Sequence, residues 1–237
     1  MLFWWSLAAG KSLNALPVED ALVVEVTGYQ WWWKLRYLDP DPTKIVTTAN
    51  ELHVPVGRPV VLRLRAGDVI HSFWVPSLHG KRDLIPGQVN TLTLRADKPG
   101  VYRGQCAEFC GHAHAKMGLL VIAESPEEFG RWRDAQLRPA EPPRTAQQKH
   151  GRRVFETTSC ALCHAVEGTE AGATMGPDLT HLMSRLTLAA GALPNTRGHL
   201  AGWITNAQSL KPGARMPNIT LPPDDLQAVV AFLETLK

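Results

Sequence analysis

The sequence predicts two units in series, an all-β sandwich over residues 18–126 and a small all-α domain over 147–237, with a helix and linker at 127–146 between them. Three observations predict this. The first half is a succession of short β-branched and aromatic runs punctuated by Gly and Pro, the pattern of a sandwich or barrel. The tract "RPAEPPRTA", Arg138 to Ala146, holds three prolines and no sizeable apolar residue, so it reads as a semi-rigid linker. Beyond it the strand-like texture gives way to helix-like segments. A length of 237 residues suits one large or two ordinary domains.

Taken in order, "MLFWWSLAAGKSLNALP" is apolar for about ten residues and then meets Lys11. A spanning helix needs roughly 20 apolar residues, so this stretch cannot cross a membrane alone, and no basic n-region marks it as a signal peptide. Its tryptophans beside a lysine suit a membrane interface; packing onto the following domain is the alternative. "ALVVEVTGYQWWWKLRY" mixes β-branched and aromatic residues, and "RPVVLRLRAGD" alternates apolar with basic ones. "VNTLTLRADKPGVYRGQC" reads as two strands joined by a turn at Asp97–Gly100, and "MGLLVIAE" as a further strand. "SPEEFGRWRDAQL" opens a helix, with Pro126 in its first turn. Later helices are expected in "AQQKHGRRVFETTSCALCHAV" up to the cysteines, in "GHLAGWITNAQSL", and in "PPDDLQAVVAFLETLK", where Asp224 and Asp225 face the positive end of the dipole.

Charge excludes one class of partner. With 25 basic against 22 acidic side chains, a formal net charge of +3 and no basic block, the chain carries no footprint for nucleic acid. The chemistry lies in its four cysteines, which fall in two clusters and leave none over to staple the fold. Disulfides are the plain alternative for both pairs.

The first cluster is "CAEFCGHAHAKM", with Cys106, Cys110, His114 and Met117 at spacings of four, four and three. Thiolate and thioether are soft ligands for copper, and imidazole suits copper and zinc. A structural zinc site has no use for Met117, and a disulfide leaves both His114 and Met117 unexplained. A mononuclear blue-copper site needs one cysteine, whereas two thiolates can bridge two copper ions, each then needing a histidine. His71, in "DVIHSFWVPS", is the expected second histidine. His112 breaks the spacing, and His53 and His79 have no spacing argument, so these three are expected to be structural or solvated.

The second cluster, "CALCH" from Cys160 to His164, has the C-x-x-C-H spacing of c-type haem attachment. Cys160 and Cys163 would form the thioethers and His164 the proximal ligand. A thioredoxin-like disulfide is the competing reading, but no βαβ pattern surrounds the motif. Met216, in the Gly/Pro-rich "LKPGARMPNI" before the last helix, is the expected sixth ligand, with His181 or His199 as fallback. Met175 follows the attachment motif too closely, and Met183 lacks a loop signal.

The first cluster fits C-x-E-x-C-G-x-x-H-x-x-M, which resembles the dinuclear copper (CuA) signature of subunit II of haem-copper cytochrome c oxidases. "DVIHSFWVPSL", "KRDLIPG" and "EVTGYQWWW" resemble the same family over about Val18 to Pro126. Residues Gln147 to Leu236 are similar to class I cytochrome c. The resemblance implies a cupredoxin-like sandwich in which Cys106 and Cys110 bridge two coppers and His71 and His114 each bind one. Met117 would be a weak ligand to one copper, and the Glu108 carbonyl a ligand to the other. It further implies that the Glu108 side chain contacts a magnesium site shared with subunit I, near Asp83, and that Trp31 lies where electrons enter.

The fused order resembles bacterial oxidases whose subunit II carries its own cytochrome. The implied function is electron transfer on the extracytoplasmic (periplasmic) face of the bacterial membrane. Electrons would pass from an upstream respiratory donor to haem c, to CuA, and on to subunit I, with subunit III a further partner. Oxygen reduction would belong to subunit I, and the isolated chain would reduce none. Family members begin with a two-helix membrane hairpin, and "MLFWWSLAAG" resembles the outer end of its second helix. Residues 1–17 are therefore expected to be a residual membrane-proximal segment, left by truncation or a misplaced start. A soluble electron carrier, a nitric oxide reductase subunit and a copper-delivery protein are the competing readings.

Overall fold

A computed structural model of the chain describes residues 2–14, 16 and 18–237. Strand β1 (Leu22–Tyr29) shows why a sandwich forms: its burial alternates residue by residue, with Val24 and Val26 fully inside. β1 pairs antiparallel with β2 (Trp32–Tyr37) and parallel with β5 (Val60–Ala66). With β3 (Val46–Ala49) and β8 (Asn90–Leu94) they make a sheet of order β3-β2-β1-β5-β8. The facing sheet runs β4-β10-β9-β6-β7, from β4 (Glu51–Pro55), β10 (Gly118–Glu124), β9 (Gly100–Cys106), β6 (His71–Trp74) and β7 (Arg82–Leu84). Trp33, Leu35, Leu62, Leu64, Phe73 and Met117 fill the space between the sheets.

The run from Val89 to Cys106 does yield two strands, but β8 and β9 lie in different sheets, so the turn between them is a crossover. Every residue of β4 is buried, and so is β10 up to Ala123, because cover comes from both sides. Part of that cover is helix α2 (Pro126–Gln136), which begins with Ser125 as N-cap in a capping box with Glu128. Its Phe129 joins the sandwich core, and Trp132 stacks on His53 with ring centroids 4.2 Å apart. His53 is also paired with Glu124 at 3.0 Å, which accounts for it as a structural residue.

The C-terminal unit is built on α3 (Ala146–Thr157), α4 (Arg197–Leu210) and α5 (Pro223–Leu233). Helices α3 and α5 pack through Phe155 and Phe232, whose rings lie 5.7 Å apart, and α5 carries Asp224 and Asp225 in its first turn. The all-α expectation is corrected here. Thr187–Leu188 (β11) and Leu193–Pro194 (β12) form an antiparallel ladder, and Ala165 bridges Gly172. Ala189, Ala190 and Gly191 all take positive φ to close that hairpin. Two alanines read as helix formers, and a two-residue ladder shows no alternation, so the hairpin left no trace in the sequence pattern.

Helix α1 (Leu2–Asn14) precedes the sandwich, and Leu2, Phe3, Trp4 and Trp5 are exposed rather than packed on the domain. Met1, Ala15 and Pro17, which belong to the expected membrane-proximal segment, lie outside the described residues. Among the described residues no helix is long and apolar enough to cross a membrane.

Candidate copper and haem centres

The predicted copper ligands meet at one end of the sandwich. Cys106 ends β9, directly opposite Phe73 of β6, and two residues along β6 lies His71, fully buried. His71 Nδ1 is 3.9 Å from Cys106 Sγ, and the Cys106 and Cys110 sulfurs are 3.8 Å apart, too far to be a disulfide. Cys110 Sγ lies 3.5 Å from His114 Nδ1 and 3.7 Å from Met117 Sδ. The Glu108 carbonyl is 3.3 Å from Cys106 Sγ. All six predicted groups thus converge. The tightest trio is His71, Cys106 and Cys110, with ligand atoms within 4.8 Å of one another; His114 joins the set through Cys110. His112 is exposed and outside this set, and His79 is half-buried with Nδ1 near the Gly80 carbonyl.

The surroundings orient these ligands. Asp68, which sequence reasoning missed, lies 2.8 Å from His71 Nε2; that nitrogen donates to the carboxylate, so Nδ1 is the atom turned to Cys106. An acid three residues before a ligand histidine was the available signal. Burial pulls the His71 pKa down, but hydrogen bonds to Cys106 and Asp68 outweigh it, and the net shift is upward. The two thiols move in opposite directions, Cys106 down and Cys110 up, because they share a hydrogen bond and one thiolate suppresses the other. The backbone is equally constrained. A Cβ on Gly28 would stand 2.9 Å from the His71 ring, so only glycine leaves that ring its place.

Two more residues reach the cluster. Trp31 donates its indole N–H to the Cys110 carbonyl at 3.1 Å, and Gln30 Nε2, also missed from sequence, donates to the same oxygen at 2.8 Å. Glu108 and Asp83 point their carboxylates at Lys81, at 3.7 and 3.8 Å, and Asp83 accepts from Ser72 at 2.7 Å.

Cys160, Cys163, His164 and Met216 of the C-terminal unit line one cavity of about 600 Å³, and Trp31, Trp32 and Asp68 of the sandwich line it too. His164 Nδ1 donates to the Pro177 carbonyl at 2.7 Å, and burial lowers the ring's pKa, which leaves a neutral imidazole with its Nε2 lone pair free. Neither fallback ligand lines the cavity: His181 Nδ1 is bound to the Lys237 carbonyl at 2.7 Å, and His199 is held near Thr196. Met175 lines the cavity but is 71% exposed.

Both donor sets fit the groups expected of them. The first offers two sulfurs of cysteine, a thioether, two imidazoles and a carbonyl, with no carboxylate among them, which favours a soft metal such as copper. The second is an apolar cavity with two thiols at its wall and two buried cations, Lys211 and Arg185, the latter with an Nε that has no hydrogen-bond partner among the described residues. A flat apolar group bearing carboxylates, as haem does, complements that lining.

Comparison with known proteins agrees with this geometry. A family profile described as cytochrome c oxidase subunit II, periplasmic domain, matches residues 38–124, and one for cytochrome c matches residues 148–237. Cytochrome c oxidase subunit 2 of Alkalihalophilus pseudofirmus is 40% identical over 220 residues, covering 92% of this chain and 62% of that protein. Cytochrome c oxidase subunit 2 of Bacillus sp. PS3 is 31% identical over 250 residues, covering the whole of this chain and 68% of its own length. The chain belongs to the cytochrome c oxidase subunit II family. A solved periplasmic domain of subunit II from Bradyrhizobium japonicum covers 48% of the chain and 92% of itself, at 32% identity and a TM-score of 0.46. The subunit II profile falls on the β-sandwich, and the cytochrome c profile on the mainly helical unit that follows it.

Proposed function

We propose that the chain is the electron-transfer subunit of a haem-copper terminal oxidase, carrying electrons from a c-type haem in its C-terminal unit to a dinuclear copper centre and on to a catalytic subunit I. The observation that carries this is the meeting of His71, Cys106, Glu108, Cys110, His114 and Met117 at 3.3–3.9 Å on a sandwich that also holds a C-x-x-C-H cavity domain. Cys106, Cys110, His71 and His114 would hold the copper pair, with Met117 and the Glu108 carbonyl completing the set. Cys160 and Cys163 would attach the haem, and His164 and Met216 would hold its iron. When bound, the copper pair shares one electron over two metals, and the haem passes single electrons at a potential raised by methionine.

What the chain's own residues contribute is rigidity and exclusion of water. The cysteines are 2–3% exposed and His71 and Met117 fully buried, so the ligands cannot rearrange with charge. Phe73, Trp33 and Met117 form a dry wall that helps set the potential. Trp31 is the point where electrons enter the copper region, being hydrogen-bonded to the Cys110 carbonyl. Glu108 and Asp83 mark the edge facing subunit I, where magnesium would be shared. The site lies on the extracytoplasmic face, and the upstream donor feeds the haem.

Electron paramagnetic resonance of the copper-loaded chain tests the assignment. Hyperfine coupling spread over two copper nuclei is expected, with the shared pattern lost in Cys106→Ser. Coupling to one nucleus, or zinc in the site, would overturn it.

A further inference from the structure

Several contacts between the two units involve neither ligand set. Glu51, at the start of β4, is 1% exposed, yet its carboxylate accepts three hydrogen bonds from the edge of the other unit. Leu186 N donates at 2.9 Å, Thr187 N at 2.8 Å and Thr187 Oγ1 at 2.7 Å. A carboxylate taken out of water is costly unless its oxygens are satisfied in this way. Beside the copper loop, Lys211 is 3% exposed and donates Nζ to the carbonyls of Trp31 at 2.7 Å and Ala189 at 2.9 Å. Gly118 N donates to the Ala190 carbonyl at 3.0 Å, and Lys116 Nζ to the Leu210 carbonyl at 2.7 Å.

The two ligand loops are joined more directly still. Arg215, next to Met216, donates to Gln30 Oε1 at 2.7 Å, and Gln30 Nε2 donates to the Cys110 carbonyl at 2.8 Å. The same guanidinium stands 3.5 Å from Asp68, the carboxylate that orients His71. Close approach is built into the backbone: Gly213 has φ of +83°, and a Cβ there would stand 2.7 Å from the His112 ring of the copper loop. A unit swinging freely on "RPAEPPRTA" would have to break all of these contacts together in each cycle.

We propose that Glu51 and Lys211 latch the C-terminal unit onto the copper-ligand face in one pose, with Gln30 and Arg215 as positioning residues that couple the Met216 loop to Cys110. The inference rests on the electron-transfer reading above. The transfer it serves moves one electron from reduced haem iron to the oxidised copper pair, with no bond made or broken and no proton moved. Fixing the pose removes a docking step from that transfer.

The full chain with both centres loaded provides the test, by light-triggered reduction of the haem followed by absorbance at the copper centre. In the wild type the rate should be unchanged when glycerol raises the viscosity. Glu51→Ala should increase the radius of gyration in small-angle X-ray scattering and speed proteolysis within residues 138–145. It should also slow the transfer about tenfold, the scale of losing buried hydrogen bonds. Both absorption spectra and both midpoint potentials should stay as they are. Gln30→Leu should slow the transfer with the scattering curve unchanged. Should Glu51→Ala fail to fold, Thr187→Val removes a donor from the other side of the latch and is read the same way. Wild-type transfer that slows with viscosity, or a Glu51 variant with unaltered scattering, proteolysis and rate, overturns the latch. A chain that takes up neither centre overturns the functional reading instead, while scattering and proteolysis still report on the latch.

Discussion

In the N-terminal unit the candidate copper ligands each lie within 4 Å of another, His71 and Cys106 on paired strands and Cys110, His114 and Met117 on the loop that follows, whereas the candidate haem residues of the C-terminal unit stand around a cavity of about 600 Å³. The first arrangement is held by the sheet: β6 and β9 fix His71 and Cys106 in register, and Asp68 and Gly28 fix the imidazole. The second has its ligands on loops, and its hydrophobic cluster, with Phe155, Leu182, Ile204 and Leu233, wraps the cavity. The difference teaches where each cofactor enters the folding balance. Copper would occupy a place the fold already makes, while haem would fill a cavity between the C-terminal core and the sandwich.

The largest effect that can break this comparison is removal of haem. Without haem the apolar wall of this cavity is left to water, and at about 25 cal/mol per Å² that loss is large beside the marginal stability of a small domain. The Cys160→Ala, Cys163→Ala double variant should therefore lose the folded C-terminal unit, seen as loss of helical circular dichroism, while the sandwich keeps its cooperative melting. Withholding copper should leave both units folded. A haem-free chain with full helical signal would show that the C-terminal unit is as self-sufficient as the sandwich.

A smaller effect sharpens the contrast from the other side. Asp68→Asn keeps the shape of the side chain but weakens its hold on His71 Nε2. Copper affinity should fall about 10–100-fold, the usual consequence of losing a group that orients a ligand. The melting temperature of the copper-free sandwich should hardly move, because the strands position His71 without it. Competition against a chelator measures the first quantity and calorimetry the second. A large drop in melting temperature would mean that the site is part of the scaffold after all.

The same contrast governs how much could be read from the sequence. The sandwich was legible because β-branched and aromatic runs alternate, and the meeting of Cys106, Cys110, His114 and Met117 because their spacings are local. His164 and Met216 were legible as motif and loop, and both line the cavity. The residues that escaped are those whose partners are distant. Gln30 meets Cys110 across 80 positions, Glu51 meets Thr187 across 136 and Lys211 meets Trp31 across 180. A lone glutamine, glutamate or lysine has no local pattern to announce such a partner. The β11–β12 hairpin escaped for another reason, since alanines at positive φ contradict their own propensity.

The smallest effect separates the two units by the helix that follows each joint. Both α2 and α3 open with a capping box, Ser125 with Glu128 in the first and Thr145 with Gln148 in the second. Only the first can titrate. Hydrogen bonds from the Ser125 side chain and backbone hold the Glu128 carboxyl below its ordinary value of 4.5. A carboxyl depressed in the folded state stabilises above its ordinary pKa, and that contribution disappears as pH falls through the folded value. Amide hydrogen exchange in the first turn of α2 should therefore quicken below about pH 4 relative to the intrinsic rate, while the first turn of α3 stays flat. Ser125→Ala should flatten the α2 response, and Gln148→Glu should confer one on α3. Parallel behaviour of the two helices across acid pH would mean that tertiary packing, rather than the caps, holds their first turns.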